Sequence, residues 1–181
     1  GGAVYGNVTA TGCTFSGNVV TANPLDSDTA PTTAIARGGA IFGDVTALSC
    51  KFTTNRAVSN GTDTGSAFAS GGAIDCDSAT LTKCQFISNG SANVVSYGGA
   101  VVGNAINAVS TAFSQNTTTL GLTNNSFGLG GGGAIYSGYG GDLTLIRCVI
   151  ANNSALTEGG SIRKRGGHLV VQNSQIVGND A

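Results

Sequence analysis

Methionine and tryptophan are absent from this sequence, proline occurs twice, histidine once, and charged residues make up only 9% of the 181 positions. The net charge of -1 gives no argument for a polyphosphate or an anionic bilayer as partner, so neither nucleic acid nor membrane insertion is expected. No apolar run approaches the roughly 18 residues of a membrane-spanning helix. There is no CxxC pair and no histidine near a cysteine, so no metal site and no cofactor are expected. No secretory leader precedes the first residues, GGAV, which already belong to a repeat. The chain reads as a mature or excised piece of a longer secreted protein. Low charge alone would suit a disordered segment, but 40% hydrophobic residues in a strict pattern argue for a packed fold.

What the sequence has in abundance is glycine, with 30 residues, arranged in a repeat best seen at 38–55, GGAIFGDVTALSCKFTTN. Six versions open on Gly1-Gly2-Ala3-Val4, Gly38-Gly39-Ala40-Ile41, Gly71-Gly72-Ala73-Ile74, Gly98-Gly99-Ala100-Val101, Gly132-Gly133-Ala134-Ile135 and Gly159-Gly160-Ser161-Ile162. They close on Phe15/Asn18, Phe52/Asn55, Phe86/Asn89, Phe113/Asn116, Ile150/Asn153 and Ile176/Asn179. Two positions before each closing apolar residue stand Cys13, Cys50, Cys84, Thr111, Cys148 and Ser174. Further back come two apolar columns, Val8/Val45/Ala79/Ile106/Leu143/Leu169 and Ala10/Ala47/Leu81/Ala108/Leu145/Val171. The column between those two is mostly threonine: Thr9, Thr46, Thr80, Asn107, Thr144 and Val170.

Apolar and polar residues therefore alternate with period two over three to five residues, which specifies short strands with one buried face. Helical periodicity is absent, and glycine and β-branched residues oppose helix throughout. Three short strands per repeat, matching column by column between repeats, specify an all-β parallel β-helix solenoid. The whole of 1–181 is one array, with rungs near 1–18, 38–55, 71–89, 98–116, 132–153 and 159–179. Each column becomes a ladder with about 4.8 Å between equivalents. Phe15, Phe52, Phe86 and Phe113 then stack in the core beside the cysteines. The closing asparagines bond up and down the stack and tolerate left-handed backbone, and the glycine pair supplies a bend. The variable inserts, 19–37, 56–70, 90–97, 117–131 and 154–158, should emerge as loops along one edge. With no capping helix, both end rungs read as open faces, covered by flanking rungs of the same chain or by self-association end to end.

The pairing of GGA[ILV] with FxxN resembles the repeats of chlamydial polymorphic outer membrane proteins and related β-helix surface proteins. Four repeats carry both tetrapeptides, the fifth has GGAI with IxxN, and the sixth has GGSI with IxxN. The resemblance covers nearly the whole chain. It implies a secreted, right-handed β-helical passenger at the cell surface, used in adhesion or as a scaffold, with a cell-surface or glycan ligand.

Five groups of residues could carry chemistry. Cys13, Cys50, Cys84 and Cys148 share one inward column and Cys76 points inward from the next strand. Free buried thiols are expected, because side chains stacked in a ladder seldom present a disulfide dihedral. Asp75 and Asp77 flank Cys76 and should face outward, with Asp44 and Asp142 at equivalent corners. No arginine or lysine is expected near them, so an acid pair or calcium site in a polysaccharide-active groove is the weaker alternative to corner residues. A threonine face for ice binding would need a second threonine column, but that column reads Thr11, Leu48, Thr82, Val109, Ile146, Gln172. His168, in the Arg163-Lys164-Arg165-Gly166-Gly167-His168 corner, reads as a solvated turn. Of six Asn-x-Ser/Thr sites, Asn60 and Asn124 are the preferred glycan acceptors because they fall in long inserts. The function expected is a non-catalytic extracellular structural or adhesive module, with polysaccharide binding or cleavage and ice binding as the alternatives.

Overall fold

A computed structural model of the chain describes residues 1–23, 34–61, 67–93, 95–119, 129–138 and 140–181. Among them every regular element is a strand, all paired parallel, in a six-rung β-helix. Three six-stranded sheets run the length of the coil. The first holds Val4–Tyr5, Ile41–Phe42, Ile74–Asp75, Val101–Gly103, Ile135–Ser137 and Ile162–Lys164. The second holds Val8–Thr11, Val45–Leu48, Ser78–Thr82, Ala105–Val109, Leu143–Ile146 and Leu169–Gln172. The third holds Thr14–Ser16, Lys51–Thr53, Gln85–Ile87, Ala112–Ser114, Val149–Ala151 and Gln175–Val177. Their registers pair the columns seen in the sequence: Thr9 with Thr46, Thr46 with Thr80, Phe52 with Phe86, Phe86 with Phe113.

The core lies between these three sheets. Ile41, Ile74, Val101 and Ile135 come from the first, Val45, Leu81, Ile106 and Leu145 from the second, Phe52, Phe86, Phe113 and Ile150 from the third. The phenylalanine rings stack with centroids 4.6 to 4.9 Å apart and planes within 9° of parallel. That spacing is the rung repeat itself, so the strands impose the stack.

Three expectations change. The inserts are not simple loops in the first four rungs: each contributes two more strands, giving five per rung instead of three. Val19–Ala22, Arg56–Ser59, Gly90–Ala92 and Thr117–Thr119 form one four-stranded sheet, and Ala34–Arg37, Ala67–Ser70, Val95–Tyr97 and Leu129–Gly131 another. Ala36, Ala57 and Ala69 make a small second core between them. In rung five the short insert keeps only isolated bridges at Ser154 and Glu158. The inserts' inner parts, with Pro24, Pro31 and Asn124, lie outside the described residues.

Second, the ladder asparagines are not themselves left-handed. The residue before each one is: Gly17, Thr54, Ser88, Gln115, Asn152 and Gly178 have φ of 53 to 66°. The residue before each member of the cysteine column behaves likewise, from Gly12 to Asn173. Third, Cys13 is exposed, because rung one has no rung beyond it in the structure, whereas Cys50, Cys76, Cys84 and Cys148 are buried; all five are free thiols.

The asparagine ladder shows why the closing residue is asparagine. In rung three the Asn89 Oδ1 accepts from the Asn55 backbone N–H at 3.0 Å and from the Asn55 Nδ2 at 2.9 Å. The Asn89 Nδ2 donates to the Phe52 carbonyl and to the Asn116 Oδ1, both at 3.0 Å. All four capacities of the amide are used at 0% exposure. Aspartate lacks the donors and glutamine reaches too far. The same pattern joins Asn18 to Asn55, Asn116 to Asn153 and Asn153 to Asn179.

Candidate functional site: a lateral cleft at the glycine bend

On the outer surface of the coil, the bend at the glycine pair sets the second insert sheet, Ala34–Arg37 to Leu129–Gly131, against the first sheet. One wall carries Arg37, Ser70, Tyr97 and Gly131, in register on successive strands. The other carries Tyr5, Phe42, Asp75, Val102, Tyr136 and Arg163. The bend itself needs both glycines. Gly38 has φ of 59°, and a Cβ on Gly39 would overlap the Gly72 carbonyl oxygen of the next rung and the backbone of Arg56. Rungs can therefore stack closely at this corner only without a side chain there. The result is two hollows of about 320 and 220 Å³ that share Arg37, Asp75 and Asp77 and together run from rung one to rung five.

Two arginines are laid on aromatic rings here, Arg37 where the two hollows meet and Arg163 beside Tyr136 on the next strand. The Arg37 guanidinium sits 5.4 Å from the Phe42 ring centroid and 5.3 Å from that of Phe68, with its Nε 3.9 Å from the Asp75 carboxylate. The Arg163 guanidinium sits 5.8 Å from Tyr136 and 6.0 Å from Tyr97. It also pairs with Glu158 at 2.7 Å and donates to the Gly130 carbonyl at 2.9 Å. Such stacking holds a cation in place at little entropic cost. Tyr5 packs edge-on to Phe42 at 5.3 Å yet remains 81% exposed, and the Tyr97 and Tyr136 rings lie 4.6 Å apart.

Asp75 faces out of the coil, as the alternation predicts, but it is only 8% exposed. The walls of the cleft cover it, the Ser70 hydroxyl donates to its Oδ2, and Arg37 lies beside it. Burial is the largest influence on its carboxyl and raises its pKa; Ser70 and Arg37 oppose that. The expectation that no cation stands near these acids is thus overturned. Arg37 was missed because it lies on the far side of the glycine bend, inside what the sequence suggests is a loop.

The other carboxylates are corner residues. The Asp44 Oδ1 accepts from the backbone N–H groups of Asp77 and Ser78 at 3.1 and 2.8 Å, and Asn7 does the same for Asp44 at 3.1 Å. The Asp77 Oδ1 accepts from the Asn104 amide at 3.1 Å. Asp44, Asp75 and Asp77 line one hollow. Asp142 lies apart from it, exposed, and accepts from the His168 backbone at 2.9 Å. That N–H holds the Asp142 carboxyl below its ordinary value. Among the described residues no cluster of three metal-ligating side chains forms.

The remaining candidates are placed elsewhere. Lys164 and Arg163 are within the strand Ile162–Lys164, not in a displayed loop, and His168 is exposed. Asn60 is exposed, its amide donating to Asn23 at 2.7 Å. Asn89 and Asn116 are sealed in the ladder with 0% exposure, which removes both as glycan acceptors. An outward threonine row holds Thr9, Thr46 and Thr80, but exposed Leu48 interrupts the neighbouring column. No family model, no curated protein and no solved structure matches the chain.

Proposed function

We propose that this chain is a non-catalytic extracellular β-helical module, structural in its core and adhesive along the lateral cleft. The observation that carries the reading is the cleft itself: two adjoining hollows along the coil, with aromatic rings on rungs one, two, three and five and fixed charges between them. A concavity in which placed polar groups converge is the usual form of a binding site. The acids in it are already committed to Ser70, Arg37, Asn104 and backbone N–H groups, which favours a holding role over proton transfer. The GGA[ILV]…FxxN pairing and its resemblance to chlamydial surface proteins support a place outside the cell. The exposed apolar columns of rung six, Leu169, Val171 and Ile176, support self-association through the end rungs, or coverage by flanking rungs, in a longer fibre.

The test is retention of the purified chain on a panel of immobilised extracellular polymers, both polysaccharides and matrix proteins. At least one polymer is expected to hold the native chain and to hold a Tyr5→Ala/Tyr97→Ala variant at least about tenfold more weakly. Equal retention of both, or of neither, would sink the cleft as the adhesive surface. One observation favours polysaccharide cleavage as a second reading: Asp75 and Asp77 share the hollow, and burial raises the pKa of the Asp75 carboxyl. New reducing ends released by the native chain and not by Asp75→Asn would make it an enzyme.

A further inference from the structure

We infer that the cleft takes an uncharged polysaccharide lying along the coil axis, with about one sugar ring per rung; this rests on the binding role proposed above. Three features carry it. The cleft floor advances by one rung about every 4.8 Å, close to the advance of one pyranose in an extended chain. Successive sugars therefore meet structurally equivalent positions on successive strands, as the wall registers Tyr5–Phe42–Asp75–Val102–Tyr136 show, each with its own side chain.

The order of side chains along the floor suits a sugar chain. Tyr5, 81% exposed, offers an open ring at one end for the C–H face of a pyranose, while the half-buried Phe42 and Tyr97 line the walls against Arg37 and Arg163 and Tyr136 is buried beneath them. Between the walls lie Ser70 of rung two and Asp75 and Asp77 of rung three, with Asn104 alongside. These are hydroxyl, carboxylate and amide groups of the kind that sort sugar hydroxyls. An extended peptide would need a row of open backbone groups, but the strands of both walls are already paired on both sides in rungs two and three.

Charge decides the class of glycan. Arg37 is paired with Asp75, and Arg163 with Glu158. The polar partners of Asp44 and Asp77 are neutral, namely backbone N–H groups and the Asn104 amide. Among the described residues of the cleft lining, a uronate or a sulfate ester would meet those two carboxylates with no uncommitted cation. A neutral sugar meets no such repulsion.

The test is calorimetric titration of the purified chain with neutral β-linked glucan and mannan oligosaccharides of two to seven units. Polygalacturonate and heparin fragments of matched length are the second arm. Affinity for a neutral series should rise with length and level off at about five units, one for each rung of the cleft. Tyr5→Ala, at an exposed position that folding does not need, should weaken it about tenfold, and Leu48→Ala, on another face, should not. Asp44→Asn/Asp77→Asn keeps the acceptor Oδ1 of both side chains and should let polygalacturonate bind. Polyanions binding the native chain more tightly than neutral sugars would overturn the inference and leave the adhesive cleft standing. Tyr5-sensitive binding of a protein in the polymer panel, with no oligosaccharide bound, would do the same. No ligand of any class bound would overturn both.

Discussion

Rung three and rung six carry the same columns and meet opposite fates. Ile74, Ala79, Leu81, Cys84, Phe86 and Asn89 are all 0 or 1% exposed. Their counterparts Leu169, Val171 and Ile176 are 41 to 48% exposed, and Ile162, Ser174 and Asn179 are half-buried. Sequence places a side chain in a column, but the next rung buries it. In a solenoid each rung contacts only its neighbours, so stability is a sum of interfaces. A middle rung counts two and an end rung one.

The contrast is broken most directly by matched deletions. Phe86→Ala removes a ring stacked between Phe52 and Phe113 and should lower stability by about 3–5 kcal/mol. Ile176→Ala, the same column at 44% exposure, should cost about 1 kcal/mol. Midpoints of denaturant unfolding measure both. Equal costs would show that rung six is covered in solution by another coil, and the cost of Ile176→Ala would then fall on dilution.

The asparagines sharpen the same comparison with a polar group. Asn89→Ala leaves the Asn55 amide, the Asn55 backbone N–H and the Phe52 carbonyl short of partners inside the core. Buried groups left unpaired cost roughly 1–3 kcal/mol each, so a loss of about 3 kcal/mol or more is expected. Asn179→Ala strips two acceptor contacts from Asn153 at a half-open end that water reaches, and should cost about 1 kcal/mol. Comparable losses would mean that the ladder's worth does not depend on burial.

Architecture was legible because a ladder is a sequence signal: Phe52, Phe86 and Phe113 repeat with the rung, and so do Asn55, Asn89 and Asn116. The two extra sheets were not legible. Their inward residues, Ala36, Ala57, Ala69, Ser59 and Ser91, are small and have little strand preference of their own. They pack because two sheets approach closely, a tertiary cause invisible in a window. The cleft was half legible. Asp44, Asp75 and Asp77 stand out by spacing, while Arg37, Ser70 and Tyr97 sit in those same small-residue strands. The glycine pair that joins the two halves read only as a bend, although it makes the cleft.

Carboxylates extend the comparison to pH. Burial raises the Asp75 carboxyl in rung three, whereas the His168 backbone N–H lowers the exposed Asp142 in the rung five corner. For Asp75 the folded chain holds its proton to higher pH than the unfolded chain. Its contribution is therefore full below the unfolded value of 3.8 and is lost as pH rises from there through the raised folded value. For Asp142 the contribution is present above 3.8 and is lost as pH falls through the lowered value. Melting temperatures between about pH 3 and pH 8 should show Asp75→Asn gaining on the native chain as pH rises. Asp142→Asn should lose slightly at neutral pH and converge with it in acid. A native-like slope in Asp75→Asn would mean that Asp75 is hydrated in solution.

The smallest effect is expected in the cysteine column, where side-chain chemistry differs and geometry does not. The Cys84 thiol donates to the Thr82 carbonyl two residues back at 3.4 Å; in the next rung the Thr111 hydroxyl reaches the Val109 carbonyl at 3.1 Å. Ser174 makes the same bond to Gln172 at 2.8 Å. The column thus asks for a small donor, not for sulfur, and its thiols are more than apolar filler. Cys84→Thr should change stability by less than about 1 kcal/mol, while Cys84→Val, with no donor, should cost about 1 kcal/mol. A thiol reagent should label exposed Cys13 at once and reach Cys50, Cys84 and Cys148 only on unfolding. Rapid labelling of Cys148 together with Cys13 would mean that the coil opens from its sixth rung, so that the difference between middle and end extends from exposure to motion.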